Sequence, residues 1–251
     1  MVVCKWLVTV AALMLSACGS ALPDYRYKMT VHIVAPDGDR AYSSVRGIHS
    51  EYVSSMMSSS GRTIKDTFQG EAIIIDLPSG RTVYALLSRP DDPDYATYVT
   101  GPALGPHIPR ANGGDVSLTS AKGAFLTEIV SRREAMLALK GVYNLPRTVN
   151  HNPSHRDDYK PEPMWPLFVT FDDPARPASV REVSPESIGV KQITIEITDE
   201  PVTELVQQKL PWLADYGRKH GSLIPNPPRY LEDSTLIQRV SPTDFSSELY
   251  K

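Results

Sequence analysis

Cysteine is scarce in this chain of 251 residues, which contains only Cys4 and Cys18. Basic residues are not in surplus either, because 26 lysines and arginines face 29 aspartates and glutamates. The apolar run over residues 6–15 is too short to cross a bilayer as a helix, which needs about 20 apolar residues. The sequence therefore argues against an extensive disulfide network, a membrane-spanning helix and an electrostatic site for nucleic acid. Apolar residues make up 41% of the chain, so we expect a folded core.

The sequence motifs of common enzymes are also absent. The chain contains no Gly-x-Ser-x-Gly, no Ser-x-x-Lys, no His-Glu-x-x-His and no phosphate-binding loop. Catalytic residues need not be neighbours in sequence, so these absences do not exclude an enzyme. They leave no residue to name as catalytic and no cofactor to predict.

The first residues have the organisation of an export signal. Lys5 supplies a positive charge, and the apolar run over residues 6–15 has the length of the hydrophobic region of a secretory signal. The run ends in Leu15-Ser16-Ala17-Cys18, which resembles the lipobox of bacterial lipoproteins. The resemblance implies cleavage before Cys18 and attachment of lipid to its thiol. An ordinary cleaved signal and an uncleaved helical anchor are the alternatives.

The lipobox would divide the N-terminal region into a signal peptide, residues 1–17, and a lipidated tether, residues 18–24. Two or three acyl chains on Cys18 would anchor the protein stably, so a membrane is the expected partner. Gly19 stands where an Asp tends to retain Gram-negative lipoproteins in the inner membrane, so the resemblance favours the outer membrane in such a host. With Cys4 removed and Cys18 acylated, no disulfide can form within the mature chain.

Two strands are predicted directly after the tether. Residues 25–35 alternate between apolar and polar side chains, which is typical of a strand with one buried face. Pro36-Asp37-Gly38-Asp39 has the composition of a turn. We expect the chain to return as a second strand over residues 41–53, with an irregularity at Gly47.

The next strands are apolar on both faces. Residues 68–77 and 82–87 flank a turn at Pro78-Ser79-Gly80, and the Ile73-Ile74-Ile75 core of the first strand and the whole of the second are apolar on both faces. A strand of this kind is normally covered on both sides, so we expect a second layer to pack on this sheet. Residues 121–140 carry apolar side chains at helical spacing and end before Gly141, which predicts one long amphipathic helix.

The remaining chain alternates short elements with irregular segments. We predict strands over residues 167–171 and 191–198 and a short helix over residues 203–210. The segments 89–115 and 142–166 are rich in proline, and we predict no regular element in either. The fold class is α+β, mainly antiparallel β-sheet with one longer amphipathic helix and long Pro-rich loops. A single domain would cover residues 25–240, followed by a flexible tail over residues 241–251.

Several segments together resemble a family of proteobacterial exported lipoproteins. They are Tyr27-Lys-Met-Thr-Val, Gly70-Glu-Ala-Ile-Ile-Ile-Asp-Leu, Pro166-Leu-Phe-Val-Thr-Phe-Asp-Asp-Pro, Ile193-Thr-Ile-Glu-Ile-Thr-Asp-Glu-Pro and Leu210-Pro-Trp-Leu. The resemblance covers most of the mature chain and depends on the order of these strand and turn patterns. It implies export and a β-rich fold, and it carries over no catalytic residue.

One segment has the residue types of a metal site. Two histidines and two carboxylates fall within eight positions, namely His151, His155, Asp157 and Asp158. Histidine and carboxylate are common ligands of zinc. Pro153 lies between the histidines and rules out a regular helix that would place both on one face. The alternative is a solvated polar loop.

Two acidic segments have residue types found in metal or catalytic sites. Asp91-Asp92-Pro93-Asp94 is acidic but lacks the spacing, the central glycine and the closing glutamate of an EF-hand. Asp172-Asp173 follows a predicted strand, where catalytic acids occur, and precedes a proline, which favours a turn.

Basic and aromatic residues offer further candidates. Arg132-Arg133 could bind an anion, but Arg133 falls near the apolar stripe of its helix and could extend along it or pair with a carboxylate. The aromatic side chains of Trp165, Trp212 and Tyr216 could line a groove, or could anchor the packing around nearby prolines.

These observations support a leading hypothesis and two others. The leading hypothesis is a non-enzymatic lipoprotein of the cell envelope that acts as a binding or assembly module, with an envelope protein as a partner. The rival is a periplasm-facing metal-dependent hydrolase that uses the segment from His151 to Asp158. The third is a purely structural surface protein without a small ligand.

Overall fold

The structure is a computed structural model, and it describes residues 22–35, 38–54, 62–89, 92–108, 122–149, 161–217, 223 and 235–250. These residues form two larger antiparallel sheets and one two-stranded ribbon. The fold is therefore α+β and mainly antiparallel, as predicted.

The first sheet has five strands in the order β3-β2-β1-β11-β6. Their bounds are β1 Tyr25–Ala35, β2 Gly38–Ser54, β3 Arg62–Gln69, β6 Tyr143–Leu145 and β11 Val190–Ile197. Burial alternates along β1, so its odd-numbered residues from Tyr25 to Ile33 face the core. This alternation confirms the predicted half-buried strand.

Strands β1 and β2 pair without a register shift, from Tyr25 opposite Ile48 to Ala35 opposite Gly38. The irregularity predicted at Gly47 is therefore wrong. Gly47 lies in regular pairing, and a Cβ at this position would lie 3.4 Å from Cγ2 of Val202. The glycine thus allows a neighbouring segment to approach the sheet closely. The register shift occurs instead between β1 and β11, at His32 and Ile33.

The second sheet has four strands in the order β10-β9-β5-β4. Their bounds are β4 Ile73–Asp76, β5 Thr82–Ala85, β9 Phe168–Phe171 and β10 Val180–Glu182. The single strand predicted over residues 68–77 is wrong, because β3 ends at Gln69 and β4 begins at Ile73 in the other sheet. The chain changes sheets through Gly70, whose φ is +151°. The ribbon pairs β7 Thr148–Val149 with β8 Glu162–Pro163.

Helices in the described chain are short apart from one. They are α1 Tyr95–Tyr98, α2 Thr100–Leu104, α3 Lys122–Leu137, α4 Val206–Lys209, α5 Leu213–Gly217 and α6 Leu236–Arg239. Single 3₁₀ turns cover Gly105–His107, Pro177–Ser179, Pro185–Ile188, Pro242–Asp244 and Ser247–Tyr250. Helix α3 confirms the predicted long helix, and α4 lies within the predicted short one.

Both segments predicted to lack regular elements contain some. Helices α1 and α2 lie within residues 89–115, and β6, β7 and β8 lie within residues 142–166. Each of these elements is too short to show a period in the sequence. Tertiary burial stabilises them, as the full burial of Tyr95, Leu104 and Leu145 indicates.

Two apolar clusters cover the four-stranded sheet, one on each face. The first lies between the sheets, where Met29 and Val31 of β1 belong to the same buried cluster as Ile73 and Val83. The second lies on the other face and contains Tyr84, Val169, Leu210, Leu213 and Phe245. The expectation that the strands apolar on both faces are covered on both sides is therefore confirmed.

The C-terminal segment contributes to the second cluster. Phe245 is fully buried, and its carbonyl accepts a hydrogen bond of 2.9 Å from the backbone N–H of Ala72. The N–H of Leu87 donates to the carbonyl of Asp244 at 2.8 Å. The prediction of a flexible tail from residue 241 is therefore wrong for residues 241–247. This short polar segment has no periodic pattern, and its order comes from one buried aromatic ring and from backbone pairing.

Candidate functional site at the N-terminal end of the sheet

The chain is docked onto the domain before the first strand begins. Leu22 is only 2% exposed, and the carbonyl of Pro23 accepts a hydrogen bond of 3.0 Å from Nη1 of Arg133. Asp24 follows, and β1 starts at Tyr25. These residues lie at what we call the N-terminal end of the sheet, the end that carries Asp24, His49 and Thr67.

Arg133 of helix α3 holds this segment in place. Its guanidinium lies 4.5 Å from the ring centroid of Tyr25, which is a cation–π contact. Its Nη2 donates to Oγ of Ser50 at 3.1 Å, and that hydroxyl donates to Oδ1 of Asp66 at 2.5 Å. Arg133 therefore contacts an aromatic ring, a carbonyl and a hydroxyl, which favours a structural role over anion binding.

His49 lies between two carboxylates on the outer face of this end. Its Nδ1 is 2.7 Å from Oδ1 of Asp24, and its Nε2 is 3.2 Å from Oε1 of Glu51. The hydrogen bond to Asp24, followed by that to Glu51, raises the pKa of His49 above its ordinary value of 6.5. When the ring is protonated, both of its N–H groups donate to these carboxylates, and neither nitrogen is then free to bind a metal or accept a proton.

A surface groove of about 360 Å³ runs beside this histidine. Gly47 is part of its lining, with Thr67 and Gln69 of β3 on one side and the segment around Asp199 on the other. Nη1 of Arg26 donates a hydrogen bond of 2.9 Å to the carbonyl of Asp199 and so holds that segment against the sheet. The lining of the groove thus mixes polar side chains such as Thr67 and Gln69 with apolar ones such as Phe68 and Val202, and it includes the pair of His49 and Asp24.

Lys28 continues the pairing of charges next to the groove. Its Nζ lies 3.3 Å from a carboxylate oxygen of Glu196 and also contacts Glu200. His49 and Lys28 thus face four carboxylates on the outer face of the sheet. This face can therefore offer a polar ligand hydrogen bonds, and it carries a small net negative charge.

A second polar cluster is buried between the two sheets around Arg46. The Arg46 side chain is fully buried, and its Nε donates to Oγ of Ser44 at 3.2 Å and to the carbonyl of Glu71 at 3.3 Å. Nη1 lies 3.3 Å from the sulfur of Met29. No carboxylate oxygen of the described residues lies within ion-pair distance of this guanidinium, and its Nη2 has no hydrogen-bond partner among them, nor does the Tyr95 hydroxyl.

Glu71 links this cluster to helix α4. Its Oε2 accepts hydrogen bonds from the N–H groups of Leu205 at 2.6 Å and Val206 at 2.7 Å. Burial raises the pKa of Glu71, while the two N–H groups and the positive charge of Arg46 act in the opposite direction. Arg46 and Glu71 are both buried, and their hydrogen bonds join the two sheets and α4.

The strongest sequence candidates lie outside the described residues. These are the lipidation residue Cys18 and the metal-site residues His151, His155, Asp157 and Asp158. Their roles stay predictions. Within the residues that the structure describes, no group of three or more histidine, cysteine or acidic side chains could hold a metal ion. No helix in that part of the chain is long and apolar enough to span a membrane.

The two acidic candidates have structural partners. Asp91 lies outside the described residues, and the carboxylate of Asp92 accepts hydrogen bonds from Arg89 and Tyr98. Asp172 pairs with Arg181, and Oδ1 of Asp173 accepts a hydrogen bond of 3.0 Å from the N–H of Ala175. The turn interpretation of Asp172-Asp173 is therefore confirmed.

The tryptophans act as packing anchors. Nε1 of Trp165 donates to the carbonyl of Leu145 at 3.3 Å, and Nε1 of Trp212 donates to the carbonyl of Pro174 at 2.8 Å. The Trp212 ring also packs edge-on against Phe171 at 5.7 Å. The side chain of Tyr216 lies outside the described part of the chain.

The pair of Asp24 and His49 was missed in the sequence, although a signal for it exists. The predicted hairpin centres on the turn at Pro36-Asp37-Gly38-Asp39, and its register places Tyr25 opposite Ile48. Extending the register by one residue brings Asp24 opposite His49. Arg46 had no such signal, because an arginine in a strand is normally exposed.

No protein-family model, curated protein or solved structure matches this chain. The resemblance to exported lipoproteins therefore stays an expectation.

Proposed function

We propose that this protein is a lipid-anchored envelope protein whose folded domain serves as a binding or assembly module. The observation that carries the anchor is the segment Leu15-Ser16-Ala17-Cys18, in which small residues precede a cysteine at the end of an apolar run. The docked residue Leu22 follows Cys18 by only four positions. A lipid on Cys18 would thus place the folded domain directly at the membrane.

The binding role is supported by the outer face of the five-stranded sheet. Here Gly47, Thr67 and Gln69 form one side of a groove whose lining mixes polar and apolar side chains and includes the pair of His49 and Asp24. Such a groove suits a polar ligand or a polar segment of an envelope protein. Its place next to the anchor would present it to partners at the membrane surface.

Metabolic labelling tests the anchor. Cells are grown with an alkyne fatty acid, and the wild-type protein is compared with Cys18→Ser and with the matched control Cys4→Ser. We expect label and membrane association in the wild type and in Cys4→Ser, since Cys4 precedes the lipobox. Cys18→Ser should lose both. Label retained by Cys18→Ser would refute the proposed anchor, and fractionation of the same cells identifies the membrane.

Metal analysis tests the non-enzymatic role against the rival hydrolase. The purified protein is analysed for zinc, together with a double variant, His151→Ala and His155→Ala. The binding-module proposal expects no stoichiometric metal in either protein. One zinc per chain in the wild type, lost in the double variant, would overturn it.

A further inference from the structure

The way the chain enters the domain determines which part of the domain lies nearest to the lipid. Leu22 is buried, the Pro23 carbonyl is bonded to Arg133, and Asp24 is bonded to His49. The predicted tether of residues 18–24 is therefore not free over its last three residues. Only residues 18–21 connect the lipid to the docked chain.

This connection is short compared with the domain. The four steps from Cys18 to Leu22 reach at most about 14 Å, even when fully extended. Strand β1 has 11 residues, and at about 3.3 Å per residue it leads about 36 Å away from the N-terminal end of the sheet. The opposite end, at the turn between Ala35 and Gly38, is thus more than twice as far from the docking point as the tether can reach.

We infer that the short docked tether holds the N-terminal end of the sheet, with Asp24, His49 and Thr67, at the lipid headgroup surface, so that this end lies closer to the lipid than the opposite end does. This inference rests on the proposed lipidation of Cys18. The membrane is the occupant of this end of the sheet, where β1 begins, whereas the groove of the proposed function opens on the outer face beside it. The argument comes from the length of the connecting chain and the place where it ends.

The charges at this end are compatible with close approach to headgroups. His49 is paired with Asp24 and Glu51, and Lys28 is paired with Glu196 and Glu200. Two cations thus face four carboxylates, so this end carries a small net negative charge and does not attract an anionic surface. The lipid and the tether therefore hold this end near the lipid, and raising the salt from about 0.05 to 0.5 M, which screens the weak repulsion, should not release it.

Fluorescence quenching measures this placement in the lipidated full-length protein. The mature chain has no cysteine besides the acylated Cys18, so single probes can be attached at Thr67→Cys or at Asp39→Cys. Both residues are exposed on the same sheet, and about ten residues of β2 separate their positions, or about 33 Å. The protein is placed in vesicles of phosphatidylcholine and phosphatidylglycerol that carry a headgroup-attached quencher.

We expect the probe at position 67 to be quenched several-fold more strongly than the probe at position 39. Equal quenching at both positions would show that the domain lies flat on the surface and would overturn the inference. Absence of quenching at position 67 would also overturn it, because the docked tether would then fail to hold this end near the lipid. Stronger quenching at position 39 than at position 67 would also overturn the inference.

A lengthened tether distinguishes restraint by the short connecting chain from direct binding of the protein surface to lipid headgroups. A Gly/Ser insert of about 20 residues between Ser20 and Ala21 adds a root-mean-square reach of about 25 Å. Quenching at position 67 should then fall towards the value at position 39. Unchanged quenching would mean that the surface itself binds headgroups, and the tether argument would be wrong.

Fatty-acid labelling of the same samples separates this inference from the proposed function. Unlabelled protein would show that the anchor has failed. Labelled protein with an unexpected quenching pattern would reject the orientation alone.

Discussion

A Cβ atom at Gly70 would lie only 2.9 Å from Cγ of Arg46. Gly70 has a φ of +151°, and it is the residue at which the chain leaves the five-stranded sheet for the four-stranded one. The buried arginine thus passes directly beneath the corner that joins the two sheets. Neither residue can change without affecting the other.

Gly70→Ala should lower the free energy of unfolding by about 2 to 4 kcal/mol, because backbone strain and overpacking against Arg46 add together. Urea unfolding followed by circular dichroism measures the change. Gly38→Ala is the matched control, since Gly38 has a φ of +127° but no atom of the described residues within 4 Å of the added Cβ. Strain alone should cost the control about 1 kcal/mol. Equal losses in the two variants would contradict the close contact with Arg46.

Arg46→Met should be tolerated far better than Arg46→Ala. The buried guanidinium is balanced by no carboxylate within ion-pair distance among the described residues, so replacing it with an apolar chain removes a desolvation cost. We expect Arg46→Met to change the free energy of unfolding by less than about 1.5 kcal/mol and Arg46→Ala to cost about 3 to 5 kcal/mol. The hydroxyl of Ser44 still donates to the carbonyl of Glu71 in both variants.

The same urea measurement decides this comparison. Equal destabilisation by Met and Ala would show that the charge of Arg46, and not its volume, supports the core.

The pKa of His49 should fall towards 6.5 in Asp24→Asn, and fall less in Glu51→Gln, because the hydrogen bond to Asp24 is the larger cause of its raised pKa. NMR titration of the imidazole protons measures both values. A pKa raised on folding adds stability that is fully present below pH 6.5 and is lost as the pH rises through the folded value. Asp24→Asn should therefore destabilise the protein below pH 6.5 and leave its stability unchanged at pH values above the folded pKa of His49. A pKa unchanged in Asp24→Asn would contradict the pairing.

Phe245→Ala should cost about 3 to 5 kcal/mol, as expected for removing a fully buried aromatic ring. The ring packs edge-on against Tyr84 at 5.7 Å and against Trp212 at 6.2 Å. Thermal unfolding measures the loss. Leu205→Ala is the control, because Leu205 is 50% exposed and its truncation should cost less than about 1 kcal/mol. If Phe245→Ala were as stable as the control, residues 241–247 would not be part of the folded domain.

The elements of the fold that could be predicted are those whose sequence pattern is contained within one short segment. The alternation from Tyr25 to Ile33 predicted β1, and the apolar residues on both faces of residues 73–76 predicted a covered sheet. Helix α3 is long enough to show its period. The site could not be predicted in the same way, because Asp24 and His49 meet only across a hairpin, and Arg133 reaches Pro23 from a helix more than 100 residues away.

The sequence by itself determined the antiparallel strands and the long helix, and it is the basis of the proposed export signal and of the proposed lipidation of Cys18. The strands and the helix depend on short segments whose composition and periodicity suffice. Only the tertiary structure decided that Arg46 is buried, that Gly70 divides a predicted strand between two sheets, and that the chain is docked from Leu22 onward. Each of these depends on contacts between residues that are distant in the chain, and such contacts leave no local pattern in the sequence.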